Sequence, residues 1–187
     1  ASKTSDIEFM YPWGWGELEG IANRGTFDLT SHERESGKDL TYFDPESNEK
    51  INPVVIEPAG GLTRTLFAIL CSSYDEDTVN DTTRTLFRFN FDIAPIQIAI
   101  LPLSKKDNLI NTSKEIKTKL QRSFRTEIDI TQSIGKRYRR QDEIGTPYCI
   151  TVDFETMDDD SVTIRNRDTM NQERVEINKL HDYFENI

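Results

Sequence analysis

Residues 52–70 read Asn-Pro-Val-Val-Ile-Glu-Pro-Ala-Gly-Gly-Leu-Thr-Arg-Thr-Leu-Phe-Ala-Ile-Leu, and no other stretch restricts the fold so strongly. A short β-branched run ends at Glu57-Pro58. From Leu62 the apolar positions Leu62, Leu66, Ile69 and Leu70 have helical spacing, which predicts a helix to about Ser73. Between them stand Gly60 and Gly61, which lack Cβ and let backbone lie close to a flat base or a phosphate. Arg64 falls in the first helical turn, where the N-terminus already favours anions. Glu57, at the strand end, can hold a cation. The layout suits a bound nucleotide. The plainer alternative is a turn followed by an exposed arginine.

The chain of 187 residues is long enough for one large domain or two small ones. Its net charge of −10 is unevenly spread. Residues 1–91 carry 8 Lys+Arg against 16 Asp+Glu, and residues 92–187 carry 15 against 17. The acidic half is a poor candidate for wrapping nucleic acid. The nearly neutral half holds a basic run, Lys136-Arg137-Tyr138-Arg139-Arg140, that could face RNA. Cys71 and Cys149 sit among apolar residues and read as core packing in a reducing, cytoplasmic setting. Two cysteines and two histidines do not build a usual zinc site. No apolar run approaches the roughly 18 residues needed to span a bilayer. Residue 1 is alanine and the first residues are not a signal peptide, so the chain is expected to begin inside a longer protein.

Along the chain, residues 7–11 and 17–22 read as strands separated by the turn-prone Pro12-Trp-Gly-Trp-Gly16. Strict alternation puts Glu17 and Glu19 on one face and Leu18 and Ala22 on the other. Residues 23–32 suit a short helix or loop. A hairpin is expected around residues 44–48, a third strand at 54–57, an exposed connection at 74–83 and a strand at 86–91. The pattern then changes near 92–95, where a domain boundary is expected. Residues 96–101 read as a strand buried on both faces, and 107–124 as an amphipathic helix carrying Leu109, Ile116, Leu120 and Phe124. Strands are expected at 127–130, 148–154 and 161–164. Ser133 can cap a helix that stops near Gly145. Thr169 and Gln172 form a capping-box pattern for a last helix burying Met170, Ile177, Leu180 and Phe184. This is α+β followed by α/β with a mixed sheet.

If their strands are close, Glu17, Glu19 and Glu57 make an acidic hollow that attracts a metal ion or an ammonium group. The alternative is a solvated polar sheet face. The basic run can bind phosphates, with Tyr138 as a stacking surface for an unpaired base, or it can be a solvated helix face paired with Asp142 and Glu143. Arg165 and Arg167 carry the same two readings. His32 and His181 read as surface or structural residues. No nucleophile elbow or Walker loop is present.

Three segments taken together resemble the homodimeric glycyl-tRNA synthetases, a class II family. The first is Gly14-Trp-Gly-Glu-Leu-Glu-Gly-Ile-Ala-Asn-Arg24 with Phe27-Asp-Leu29 and His32. The second is Val55-Ile-Glu-Pro58 with Gly61 and Arg64, similar to motif 3. The third is Ile134-Gly-Lys-Arg-Tyr-Arg-Arg-Gln-Asp-Glu-Ile-Gly-Thr-Pro147 with Val152-Asp-Phe154 and Val162–Met170.

The resemblance implies that residues 1–91 close a class II catalytic domain, an antiparallel sheet with helices, and that 92–187 form an anticodon-binding domain with a mixed α/β sheet. It implies an enzyme that joins glycine to ATP with Mg2+ and passes the glycyl group to its tRNA, mainly through positioning and charge stabilisation. Arg64 and Glu57 are then the catalytic pair. ATP would be held by Glu17, Leu18, Gly61, Leu62, Thr63 and Arg64. Glycine would be held by Glu57, Ala59 and Gly61, in a pocket closed to larger side chains. Glu17 would help hold Mg2+. Anticodon candidates are Asp129, Gln132, Lys136, Arg137 and Arg140. Ala59 departs from the family's usual serine and removes one polar contact. Motifs 1 and 2 are absent, so the chain looks like a C-terminal fragment, inactive alone, of a protein expected to be a homodimer. The alternative is a non-catalytic synthetase-like accessory module that binds nucleic acid.

Overall fold

A computed structural model describes residues 1–79 and 81–187. Residue 80, inside the connection expected at 74–83, lies outside the described residues. The chain divides into two compact units, Ala1–Ser72 and Ser73–Ile187.

In the first unit β1 (Lys3–Tyr11), β2 (Gly14–Gly25) and β5 (Val55–Gly60) form an antiparallel sheet in the order β1-β2-β5. Helix α1 (Phe27–Ser36) follows β2 and ends where Gly37 adopts φ 66°, a left-handed cap that glycine accepts without strain. The expected hairpin forms from β3 (Tyr42–Asp44) and β4 (Glu49–Ile51). Helix α2 (Leu62–Ser73) covers the predicted span. Its apolar stripe is not uniformly buried: Leu62 is 85% exposed, and Leu66 and Phe67 are also exposed. Trp13 and Trp15 stand in solvent as well, while Tyr11 and Ala68 are buried.

The alternation expected in β2 fails, because the strand carries two bulges. Ile7 pairs with Glu19 and Glu8 with Glu17, so Leu18 is an extra residue. Asn23 pairs with Ile56 and Gly25 with Val55, so Arg24 is another. A bulge shifts the side-chain period by one. Glu17 and Glu19 therefore occupy opposite faces, contrary to the simple alternation.

The second unit opens with a hairpin of β6 (Tyr74–Val79) and β7 (Thr82–Phe87). Strand β8 (Ile98–Pro102), helix α3 (Asp107–Leu120), strand β9 (Thr126–Ile128), helix α4 (Ile134–Ile144), strand β10 (Tyr148–Val152) and the short helix α5 (Thr156–Asp159) follow. The unit closes with β11 (Ser161–Asn166), β12 (Gln172–Glu176), a 3-10 turn at Ile177–Lys179 and helix α6 (Leu180–Glu185). The sheet order is β12-β11-β10-β8-β9, with β8 parallel to β9 and β10 and the other pairings antiparallel.

One face of this sheet packs Ile98, Ile100, Ile150, Val152, Val162 and Ile164 against Leu109, Ile116 and Leu120 of α3 and Leu180 and Phe184 of α6. The other face packs Ala99, Leu101 and Cys149 against Ile134 and Tyr138 of α4. Burial on both faces is what a continuous apolar run in a parallel strand implies. Phe91 adds ring contacts to Phe124, Tyr148 and Phe184.

Three expectations change. The connection at 74–83 is largely strand, and the strand placed at 86–91 runs Thr82–Phe87 instead. The capping box at Thr169 and Gln172 starts no helix: Gln172–Glu176 pairs with β11, and the Thr169 hydroxyl accepts from the Asn171 N–H. Compact packing also divides the chain about twenty residues before the boundary expected near 92. The β6–β7 hairpin packs with the second unit because Arg84, 2% exposed, is bonded to Asp142 of α4. Among the described residues no helix is long and apolar enough to cross a membrane.

Candidate functional site

Two places gather the residues singled out above, one in each unit. In the first, the bulge at Leu18 swings Glu17 onto the face that carries Gly20, and a Cβ on Gly20 would meet Glu17 Oε1 at 3.3 Å. Gly20 pairs with Ala59 and Ala22 with Glu57. Cross-strand partners share a face, so Glu17, Glu57 and Ala59 lie on one side of the sheet. Glu19 faces the other side with Ile7 and Gly60. The three-carboxylate hollow is thus reduced to two acids. Those two stand well apart along the sheet.

Arg64 closes the end of this sheet. Its Nη1 donates to the Glu17 carbonyl at 2.5 Å. Glu17, Thr63 and Arg64 line a hollow of about 350 Å³ with Tyr11, Trp13, Gly16 and Phe67. Glu57 does not line it. Its carboxylate instead forms an ion pair with Arg24, with Nη1 and Oε2 3.1 Å apart. The rings of Tyr11, Trp13 and Phe67 stack with centroids 5.0–5.9 Å apart. These aromatics and Arg24 escaped the residue-by-residue reading, although the Trp13-Gly-Trp15 pair marked the segment as more than a turn. A Cβ on Gly60 would meet only Glu19 Cγ at 4.0 Å, and one on Gly61 only the Arg64 side chain at 3.5 Å or beyond. Neither has a left-handed φ. Packing within the described residues therefore does not require glycine at either position. Leu62 is exposed beside them.

In the second unit the basic run on α4 is mostly internal wiring. Arg137 is 3% exposed, and its Nη1 donates to the carbonyls of Pro102 at 2.7 Å and Asp129 at 3.1 Å. Burial pushes its guanidinium below the usual arginine range. It ties the ends of β8 and β9 together and does not face RNA. Arg140 donates to the Asp129 carboxylate and the Thr131 carbonyl. Burial would raise the Asp129 carboxyl, but the Thr131 N–H and Arg140 hold it below the usual carboxylate range. Tyr138 is no stacking surface either. Its hydroxyl bonds the Thr151 hydroxyl, and Arg165 lies 4.9 Å over its ring. Arg165 and Arg167 are buried. Of the expected anticodon residues, Gln132 and Lys136 are exposed, Arg140 is half-buried, and Asp129 and Arg137 are buried.

What α4 positions is the carboxyl edge of the three parallel strands. Val152 pairs with Pro102, and the Leu103 N–H donates to the Val152 carbonyl at 2.8 Å. The loops after β8, β9 and β10 therefore open on one edge, the usual place for ligands in open α/β sheets. Lys106 Nζ lies 4.7 Å from the centre of the Phe154 ring. Lys105, Lys106, Gln132 and Lys136 are exposed there, as are the apolar Leu103, Ile130 and Phe154. Cations interleaved with apolar and aromatic surface suit single-stranded nucleic acid. Lys105, Lys106 and Phe154 were not legible as a group, because residues so far apart in the chain meet only through the β8–β10 pairing.

The family described as an anticodon binding domain matches residues 97–187. A glycine–tRNA ligase of Ruminiclostridium cellulolyticum is 54% identical over 187 residues, all of this chain and 40% of that protein. One of Clostridium beijerinckii is 52% identical over 186 residues, 99% of this chain and 40% of that protein. The crystal structure of the RNA binding domain of threonyl-tRNA synthetase from Cryptosporidium parvum Iowa II superposes with a TM-score of 0.71 at 21% identity, covering 98% of this chain and 42% of that one. That likeness shows the fold alone. By sequence the chain is similar over its whole length to glycine–tRNA ligases, of whose length it spans about two fifths, and its residues 97–187 match the anticodon-binding domain family.

Proposed function

We propose that this chain reads the anticodon loop of a glycine-accepting tRNA at the sheet edge of its second unit. In the longer protein its first unit would supply one face of the site where glycine is activated with ATP and passed to that tRNA. The observation that carries the reading is the edge itself, where Lys106 over Phe154, Lys136 and Gln132 surround apolar surface. Unstacked loop bases can be stacked on such a surface and read by side chains, while paired RNA cannot. The match of residues 97–187 and the whole-length likeness to glycine–tRNA ligases support it.

In the first unit, Glu57 would take the ammonium of glycine beside Ala59 and Gly61, and Arg64 with Gly61, Leu62, Thr63, Glu17 and Leu18 would border ATP. Mg2+ is usually held by one or two carboxylates together with substrate phosphates. Glu17, on the open face of the sheet, fits one such ligand, and a bound ion would screen phosphate charge. Among the described residues the one group of three close ligand atoms is His181, Asp182 and Glu185, all on α6, which has no part in this reading. Dimerisation, a cytoplasmic location and an isolated chain unable to form the adenylate belong to the same reading.

The test is titration of the chain with a glycine-accepting tRNA and an anticodon-substituted copy at several salt concentrations. Lys106→Ala and Lys136→Ala should each reduce the salt slope by about one. Phe154→Ala should weaken binding by about 1–3 kcal/mol. Equal affinity for both tRNAs would favour an accessory nucleic-acid-binding module.

A further inference from the structure

The bulge at Arg24 is a built feature. Asn23 Oδ1 accepts the Gly25 N–H at 3.0 Å, and Gly25 adopts φ 62°, a conformation open to glycine. The extra residue projects a guanidinium between two carboxylates. Nε and Nη2 of Arg24 grip Asp28 at 2.5 and 2.8 Å. Asp28 lies in the first turn of α1, where the helix dipole favours its charge. The remaining nitrogen, Nη1, reaches Glu57 Oε2 at 3.1 Å. Among the described residues no hydrogen bond ends on Glu57 Oε1.

We infer that Arg24 is a positioning residue for Glu57: anchored to Asp28 along its Nε/Nη2 edge, it pairs through Nη1 with one oxygen of Glu57 and leaves the other to the substrate's ammonium. This rests on the proposed role of Glu57 in holding glycine. The anchor decides the direction of the effect. A guanidinium gripped twice by Asp28 is not free to leave when an ammonium arrives, so it orients Glu57 and does not compete for it. An unheld, half-exposed glutamate samples several rotamers, and each wrong one is lost binding. Lysine does not replace this arginine, because one ammonium group cannot present a planar fork and a third donor together.

The test uses a full-length ligase carrying this segment and measures pyrophosphate exchange with glycine and ATP varied separately. Glu57→Gln should raise the KM for glycine strongly. Arg24→Gln should raise it about three- to tenfold, in the range of partly exposed ion pairs and outer-shell partners, with the KM for ATP unchanged. Arg24→Lys should not restore it. Asp28→Asn should shift it in the same direction by less, and should add little in the Arg24→Gln background. An unchanged glycine KM in Arg24→Gln, with Glu57→Gln impaired, overturns the role of Arg24 and leaves that of Glu57 standing. If Glu57→Gln is also unaffected, the reading of Glu57 itself falls. A joint rise in both KM values with a lower thermal midpoint means that Arg24 only braces the strand. Asp28→Asn, which keeps the side-chain volume, decides the matter if Arg24→Gln does not fold.

Discussion

Removing the carboxylate of Asp142 takes a partner from two buried cations and strands one of them. Asp142 is 2% exposed and accepts Arg165 Nη1 at 2.8 Å, Arg165 Nη2 at 2.9 Å and Arg84 Nη1 at 3.2 Å. In Asp142→Ala, Arg84 keeps Asp77 and the Arg167 carbonyl. Among the described residues Arg165 loses both of its charged bonds and keeps the Tyr138 ring. Stranding a buried charge costs about 3–5 kcal/mol. The better helix propensity of alanine returns about 0.5 kcal/mol. For a unit of roughly 115 residues, each kcal/mol moves the midpoint by about 4 °C, so the net cost of about 2.5–4.5 kcal/mol should drop the transition by about 10–18 °C. Thermal unfolding followed by circular dichroism at pH 7 measures this. Arg165→Met alone should cost less, because Asp142 keeps Arg84. The pair Asp142→Ala with Arg165→Met should be more stable than the sum of the two predicts, since the orphaned cation is gone. A fall below about 3 °C for Asp142→Ala, or strict additivity in the pair, refutes the argument.

Gly145→Ala should destabilise the second unit by more than about 2 kcal/mol in the same melt, because φ is 84° and a Cβ there would stand 2.3 Å from the Phe89 ring. The stability of this unit should also fall in acid. The Arg84 bond holds the Asp77 carboxyl below the usual carboxylate range, and the Arg88 bond does the same for Asp75. Depressed folded-state values contribute stability that is full above the unfolded value near ~3.9 and is lost as pH falls through the folded values. Midpoints should therefore stay level from about pH 7 to 5 and descend below about pH 4, and Arg84→Met should flatten that descent.

Local signals located most elements, because each rests on a period or a stop within one segment. Gly145 ended α4 as expected, and the run at 96–101 became a central strand. The errors arose where a neighbour overrode the local signal. Thr169 and Gln172 carry a capping pattern, yet β11 offered a pairing edge and Gln172–Glu176 took it. Residues 74–79 are acidic and read as loop, yet Arg84 and Arg88 neutralise Asp75 and Asp77 and let a hairpin form. Arg137 belongs to a charge run that normally lies in solvent, yet two carbonyls at the strand ends drew it inside.

The residues alone determined which chemistry the chain carries: a glycine pair beside Arg64, a carboxylate at Glu57, basic side chains in the second half, and strands and helices in their order. Those follow from composition and from spacing along the backbone. The tertiary structure decided which of them act together. One-residue bulges, invisible to an alternating pattern, sent Glu17 and Glu19 to opposite faces and aimed Arg24 at Glu57. Strand pairing brought Lys106 to Phe154, and the carbonyls at the ends of β8 and β9 drew Arg137 inside. A side chain's face depends on register, and register is set by contacts between segments far apart in the chain.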